Sequence, residues 1–143
     1  MDYDWDEELR WKNLDPDLKI YHGQKTMYQQ LNESRLCIGT YNSTCDLETF
    51  SKNYPTITFF NPKLNEMREA AQPYFDKLRS VGIYHETPDS AALKVNEIYK
   101  DPQTWWHSPE VQNIRKEFCH RFARTSENWI SEYKNKIKEI IDE

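Results

Sequence analysis

From residue 17 the chain alternates short apolar runs with stretches of helical spacing, and this alternation limits the fold more than any other feature. LKIYH (18–22), RLCIG (35–39), PTITFF (55–60) and GIYHE (82–86) each read as a strand. Between them, KTMYQQLNES (25–34), TCDLETFSKN (44–53) and MREAAQPYFDKLRSVG (67–82) read as helices. RLCIG is short and continuously apolar, as a strand covered on both faces should be. Pro73 either kinks the third helix or starts a new one, and Gly82 is its expected stop. Strands separated by helices of this length make βαβ units. The expectation is an α/β fold with a parallel sheet of about four strands.

The rest of the chain predicts helices. TPDSAALKVNEIY (87–99) and SPEVQNIRKEFCHRF (108–122) share a start: a hydroxyl cap, proline at the first helical position, then an acid at the positive end of the dipole. Val111, Ile114, Phe118 and Phe122 form an apolar stripe on the second. Ile130, Tyr133, Ile137 and Ile140/Ile141 form another along 127–142. At the other end, residues 1–16 are acidic, carry Trp5 and Trp11, and predict a short helix ending before Asp15-Pro16. Three parts follow: an N-terminal segment 1–16, a Rossmann-like βαβ core 17–100, and helices 101–143 packing on it.

Composition removes several classes. A length of 143 residues suits one domain. Twenty aromatic residues (five Trp, nine Tyr and six Phe) offset a hydrophobic fraction of 37%, so the chain can build a core. A net charge of -5 gives no footprint for nucleic acid. The three cysteines, with no CxxC spacing, read as small buried hydrophobes in a reducing compartment. The N-terminus is acidic where a secretory signal is basic, and no run reaches the roughly 18 apolar residues of a membrane span. The expected location is the cytoplasm, with peripheral membrane association left open. No GxGxxG, Walker loop or GxSxG is present. The four histidines lack metal-ligand spacing, so no metal and no cofactor are expected.

In an open parallel sheet, ligands bind beyond the carboxyl ends of the strands. The expected strands deliver His22-Gly23, Thr40 to Thr44, Asn61-Pro62 and His85-Glu86 to that rim. GTYNSTCDLE (39–48) therefore carries two readings. Asn42, Ser43 and Thr44 could meet a phosphate at a helix N-terminus, with Glu48 accepting hydrogen bonds from a ribose. Alternatively, Ser43 or Thr44 only caps the helix and Glu48 is solvated. Glu86 and Asp89 are explained by capping. Trp105-Trp106 reads as a packing pair in preference to a sugar-stacking platform.

NESRLCIGTYNSTCDLETFSKNYPTITFFNP resembles the nucleotide-binding half of glycosyltransferases with the two-Rossmann-domain GT-B fold. More closely, it is similar to a family of bacterial surface-carbohydrate transferases. AAQPYFDKLRSVGIYHETPDSAALKVNEIY and WWHSPEVQNIRKEFCHRFART share that similarity, which covers the chain from about Asp4 onward. SKNYPT departs from it in lacking a glycine before proline, and KLNEM (63–67) in lacking an aromatic, His-containing loop. The resemblance implies a Rossmann-like sheet, the C-terminal half of a GT-B fold. It implies a nucleotide-activated donor, with Asn42, Ser43 and Thr44 on the diphosphate and Glu48 on the ribose. Thr40, Gly23, Asn61, His85 and Glu86 would form the crevice rim. It also implies an N-terminal Rossmann domain or companion chain, which supplies the acceptor site and any general base. The chain alone would bind nucleotide weakly and catalyse nothing, and its own catalytic residues are unknown. The rival reading is a non-catalytic α/β interaction module or split-enzyme subunit, which predicts Trp5, Trp11 or the 127–142 stripe exposed.

Overall fold

The computed structural model describes residues 5–65 and 67–142. The first four residues of the acidic N-terminal segment, Glu66 of the KLNEM loop and Glu143 of the C-terminal part lie outside the described residues. The chain divides into two compact units, Met1–Glu33 and Ser34–Glu143.

In the first unit, helix α1 (Glu7–Leu14) stops ahead of Asp15-Pro16, as the proline requires. Residues 18–22 do not form the expected strand. Their backbone is engaged locally instead. The Leu18 N–H donates to the Asp15 carbonyl (3.1 Å), closing a turn over Pro16, and the His22 N–H donates to Gln24 Oε1 (2.8 Å). Helix α2 (Met27–Asn32) opens on a capping box, in which Thr26 Oγ1 takes the Gln29 N–H and Gln29 Oε1 takes the Thr26 N–H. A groove of about 910 Å³ is walled by Trp5, Leu9, Trp11 and Tyr21 together with Asp6, Glu7 and Glu8.

The second unit carries the sheet. In chain order it comprises β1 (Cys37–Gly39), α3 (Thr44–Ser51), β2 (Thr56–Phe59), a 3-10 turn (Glu69–Ala71), α4 (Gln72–Ser80), β3 (Tyr84–His85), α5 (Pro88–Ile98), α6 (Pro102–Trp106), α7 (Pro109–Phe122) and α8 (Trp129–Asp142). The strands are parallel in the order β1-β2-β3, with Ile38 opposite Ile57 and Thr58 opposite Tyr84. Among the described residues the sheet therefore has three strands, not about four. The strand buried on both faces is β2, whose Thr56, Ile57 and Thr58 are all at most 1% exposed. β1 is an edge strand, and its Ile38 is exposed. Pro73 lies in the first turn of α4 and starts it, while Gly82, at φ 76°, takes the left-handed stop position after it.

Alternation along β2 sends its side chains to two cores. Ile57 packs with Ala91 and Ile98 of α5. On the other face Phe60 joins Phe50, Phe75, Leu78, Ile83, Tyr84, Trp106, Val111 and Phe118. That second core is aromatic and edge-to-face: Phe118 meets Phe50 at 5.6 Å and Phe75 at 5.4 Å, both near perpendicular. Each fully buried Leu or Ile here contributes about 1.5–3 kcal/mol. Helix α6 has no counterpart in the sequence expectations. Trp106 is fully buried and its Nε1–H donates to the Asn53 carbonyl (3.0 Å), and Trp105 Nε1–H donates to the Val81 carbonyl (3.1 Å). Both are packing residues, as expected. Asn53 itself, at φ 55°, ends α3 in the left-handed conformation that glycine would otherwise take.

α8 has no buried residue, and Ile130, Tyr133, Ile137, Ile140 and Ile141 are all exposed. Among the described residues no helix is long and apolar enough to cross a membrane.

Candidate functional site

Because the strands are parallel, Thr40, Asn61 and Glu86 follow their carboxyl ends along one edge of the sheet. Two segments of this edge open into helices of eight residues or more, the β1–α3 turn and the β3–α5 turn. Ser43 is the N-cap of α3 by backbone geometry, yet its side chain makes no capping bond. Thr26 and Thr87, in contrast, both spend their hydroxyl oxygens on capping their own helices. Asn42 and Thr44 are exposed and Ser43 is half-buried. Thr44 and Glu48 stand four apart, share a face of α3 and are both exposed.

What caps α3 in place of the Ser43 side chain is Asp46, which the sequence reading passed over. Its carboxylate reaches back to accept the Ser43 backbone N–H and also takes the Thr58 hydroxyl at 2.9 Å on Oδ2. Asp46 is 5% exposed, and its Oδ1 is buried with no hydrogen-bond donor. Burial is the main influence on it and pushes its pKa up to about 6, against the lowering effects of Thr58 and Ser43. Oδ1 occupies the space beside Gly39: a Cβ built there would lie 2.4 Å from it and 3.1 Å from Thr58 Oγ1. Gly39 is thus required by the carboxylate beside it. Ser43-Thr44-Cys45-Asp46 has the spacing of a capping box, a signal legible in the sequence.

Cys37 and Cys45 are free and hydrogen-bonded to each other beneath the same turn. Burial, ahead of the neighbouring Cys45 and Asp46, pushes the Cys37 thiol up to about 12, and burial also raises that of Cys45. Both are protonated, poor nucleophiles.

The other expected rim residues divide. Asn61 is exposed and its Oδ1 accepts the Lys63 N–H at 2.9 Å, shaping the turn after β2. His85 shares the α5 face with Phe59, and its Nε2 lies 3.1 Å from the Gly82 carbonyl. Burial there lowers its pKa. Glu86 is ion-paired with Arg79. Gly23 belongs to the first unit, and the strand expected to carry it to the sheet edge is not formed. The structure thus gathers Thr40, Asn42, Ser43 and Thr44 in one turn, with Glu48 one helical turn on.

Comparison with known proteins identifies a family. The family description "LIC12162 family transferase" matches residues 1–137. No curated protein and no solved structure matches the chain. The family match spans nearly the whole sequence, so the chain belongs to the LIC12162 family of transferases.

Proposed function

We propose that this transferase-family chain binds the nucleotide-diphosphate donor, such as a nucleotide sugar, of a GT-B-type glycosyl transfer in surface polysaccharide assembly. The reading rests on the Ser43 hydroxyl, unused as a cap at the N-terminus of α3, on the carboxyl edge of a parallel sheet. Backbone N–H groups and the hydroxyls of Ser43 and Thr44 hold the diphosphate, Asn42 flanks it, and Glu48 accepts from the ribose diol. Stabilisation of the leaving diphosphate is electrostatic, through neutral donors already in place. The acceptor and the general base come from a second Rossmann domain, in the same protein or on a companion chain, so the chain alone binds donor without turnover.

Calorimetry with CDP, UDP and GDP tests the site. One of the three should bind, and Glu48→Ala combined with Thr44→Val should weaken it about tenfold or more. Absence of binding by the wild type, or unchanged binding by the double variant, sinks the assignment. A second reading, an interaction module, is favoured by the exposed apolar stripe of α8. Sedimentation of the same samples separates the two: self-association without nucleotide binding belongs to the second.

A further inference from the structure

The opposite end of α3 carries a surplus of positive charge. An open pocket of about 250 Å³ there is lined by residues including Ser51, Arg115, Lys116, His120, Arg124 and Thr125. Arg115 is only 8% exposed, and every acceptor it meets is neutral. Nη1–H donates to the Phe50 carbonyl at 2.7 Å, Nε–H and Nη2–H to Gln112 Oε1 at 3.3 and 3.2 Å, and Nη1 also reaches Cys119 Sγ at 3.9 Å. Four of the five N–H groups of a guanidinium are thereby occupied. The fifth has no acceptor among the described residues. Buried cations are ordinarily paired with an anion. The carboxyl end of α3 supplies roughly half a negative charge, which leaves the balance unmet. Lys116 and His120, both exposed, form no ion pair with any described residue, while Arg124 is held by Glu132 at 3.1 Å.

We propose that this pocket binds a phosphate group, either free or on a lipid headgroup. A buried guanidinium with a donor to spare, an ammonium and the Thr125 hydroxyl match the several oxygens of a phosphate, while the Ser51 hydroxyl donates to the Glu48 carbonyl at 2.9 Å. The volume falls below the roughly 300 Å³ at which sites for whole small molecules begin, so it suits one charged group and not a nucleotide. The inference is independent of the donor reading, since none of its residues belongs to the β1–α3 turn.

Titration of the ¹⁵N-labelled chain with inorganic phosphate at neutral pH tests it. Saturable amide shifts should be confined to Ser51 and residues 115–125. Lys116→Glu, a change at an exposed position, should weaken the binding about tenfold. His120→Gln serves as a second variant if circular dichroism shows the first to be misfolded. Sedimentation with phosphatidylcholine vesicles, with and without phosphatidic acid, separates the sources. Phosphate shifts without vesicle binding assign a soluble ligand, and vesicle binding reversed by free phosphate assigns a headgroup. Shifts scattered over exposed lysines, shifts unaltered by either variant, or neither phosphate nor vesicle binding overturn the proposal.

Discussion

The two ends of α3 solve the same problem with opposite charges. At the N-terminus a buried carboxylate, Asp46, meets the positive end of the helix dipole; at the C-terminus a buried guanidinium, Arg115, meets the negative end. Each leaves one hydrogen-bonding position unmet, Oδ1 of Asp46 and one N–H of Arg115. They differ in how the group is held. Arg115 sits in a polar network with Gln112, whose amide also donates to Asn53 Oδ1 (2.9 Å) and the Trp106 carbonyl (2.8 Å). Asp46 has only a hydroxyl and a backbone N–H, and a glycine makes room for it. One end of the helix is tied by many groups, the other by a close fit. The difference teaches that a buried charge alone does not mark a ligand site. What marks one is the polar chemistry left over around the charge.

The largest effect expected from breaking this comparison is at Arg115. Arg115→Met keeps the volume but removes the charged bond to the Phe50 carbonyl, which retains the Asn53 N–H at 3.0 Å, and leaves Gln112 Oε1 without its Arg115 donors, at a cost of about 3–4 kcal/mol. Urea unfolding measures it, and a loss below about 1 kcal/mol would mean that packing, not the network, holds that end.

Next comes the pH dependence at the other end. The folded Asp46 carboxyl keeps its proton up to about pH 6, whereas its ordinary value is 3.8. The native state therefore binds the extra proton between those values. This group's contribution to stability is full below the lower one and is lost as pH rises through the higher, by on the order of 3 kcal/mol. Asp46→Asn should remove that part of the profile. Parallel stability curves for the two proteins across this window would contradict the assignment.

The smallest effect is steric. Gly39→Ala forces a methyl against Asp46 Oδ1 and should cost about 1–3 kcal/mol. In an Asp46→Ala background the same change should cost far less. A double-mutant cycle reads the coupling directly, and additive costs would show that Gly39 is required for some other reason.

Much of this was legible in the chain. Pro73, Gly82 and Asp15-Pro16 marked boundaries because proline and glycine act through local backbone sterics, which need no knowledge of the tertiary structure. LKIYH failed as a strand because pairing needs a neighbour, and its apolar pattern could not report that turns at Asp15 and Gln24 would take its backbone. α6 was missed because a five-residue helix has too little periodicity to detect. The place of Ser43, Thr44 and Glu48 at the start of a helix was legible from the β–turn–α pattern. Asp46 was overlooked although Ser-x-x-Asp was in view, since only the fold reveals that its side chain turns inward onto Gly39 and Thr58. Arg115 drew no notice within the helix expected over 108–122, since its burial depends on contacts 65 residues away in sequence.

Gly39 and Asp46 also constrain the order in which this sequence can change. A side chain at 39 meets the carboxylate while aspartate stands at 46, whereas a smaller residue at 46 leaves room beside glycine at 39. Descent is therefore biased at this pair: a change at position 46 first removes the steric cost of a later change at position 39. A relative with alanine at 39 should carry a smaller residue than aspartate at 46. Sequences with glycine at 39 and a small residue at 46 would be the intermediates on that path.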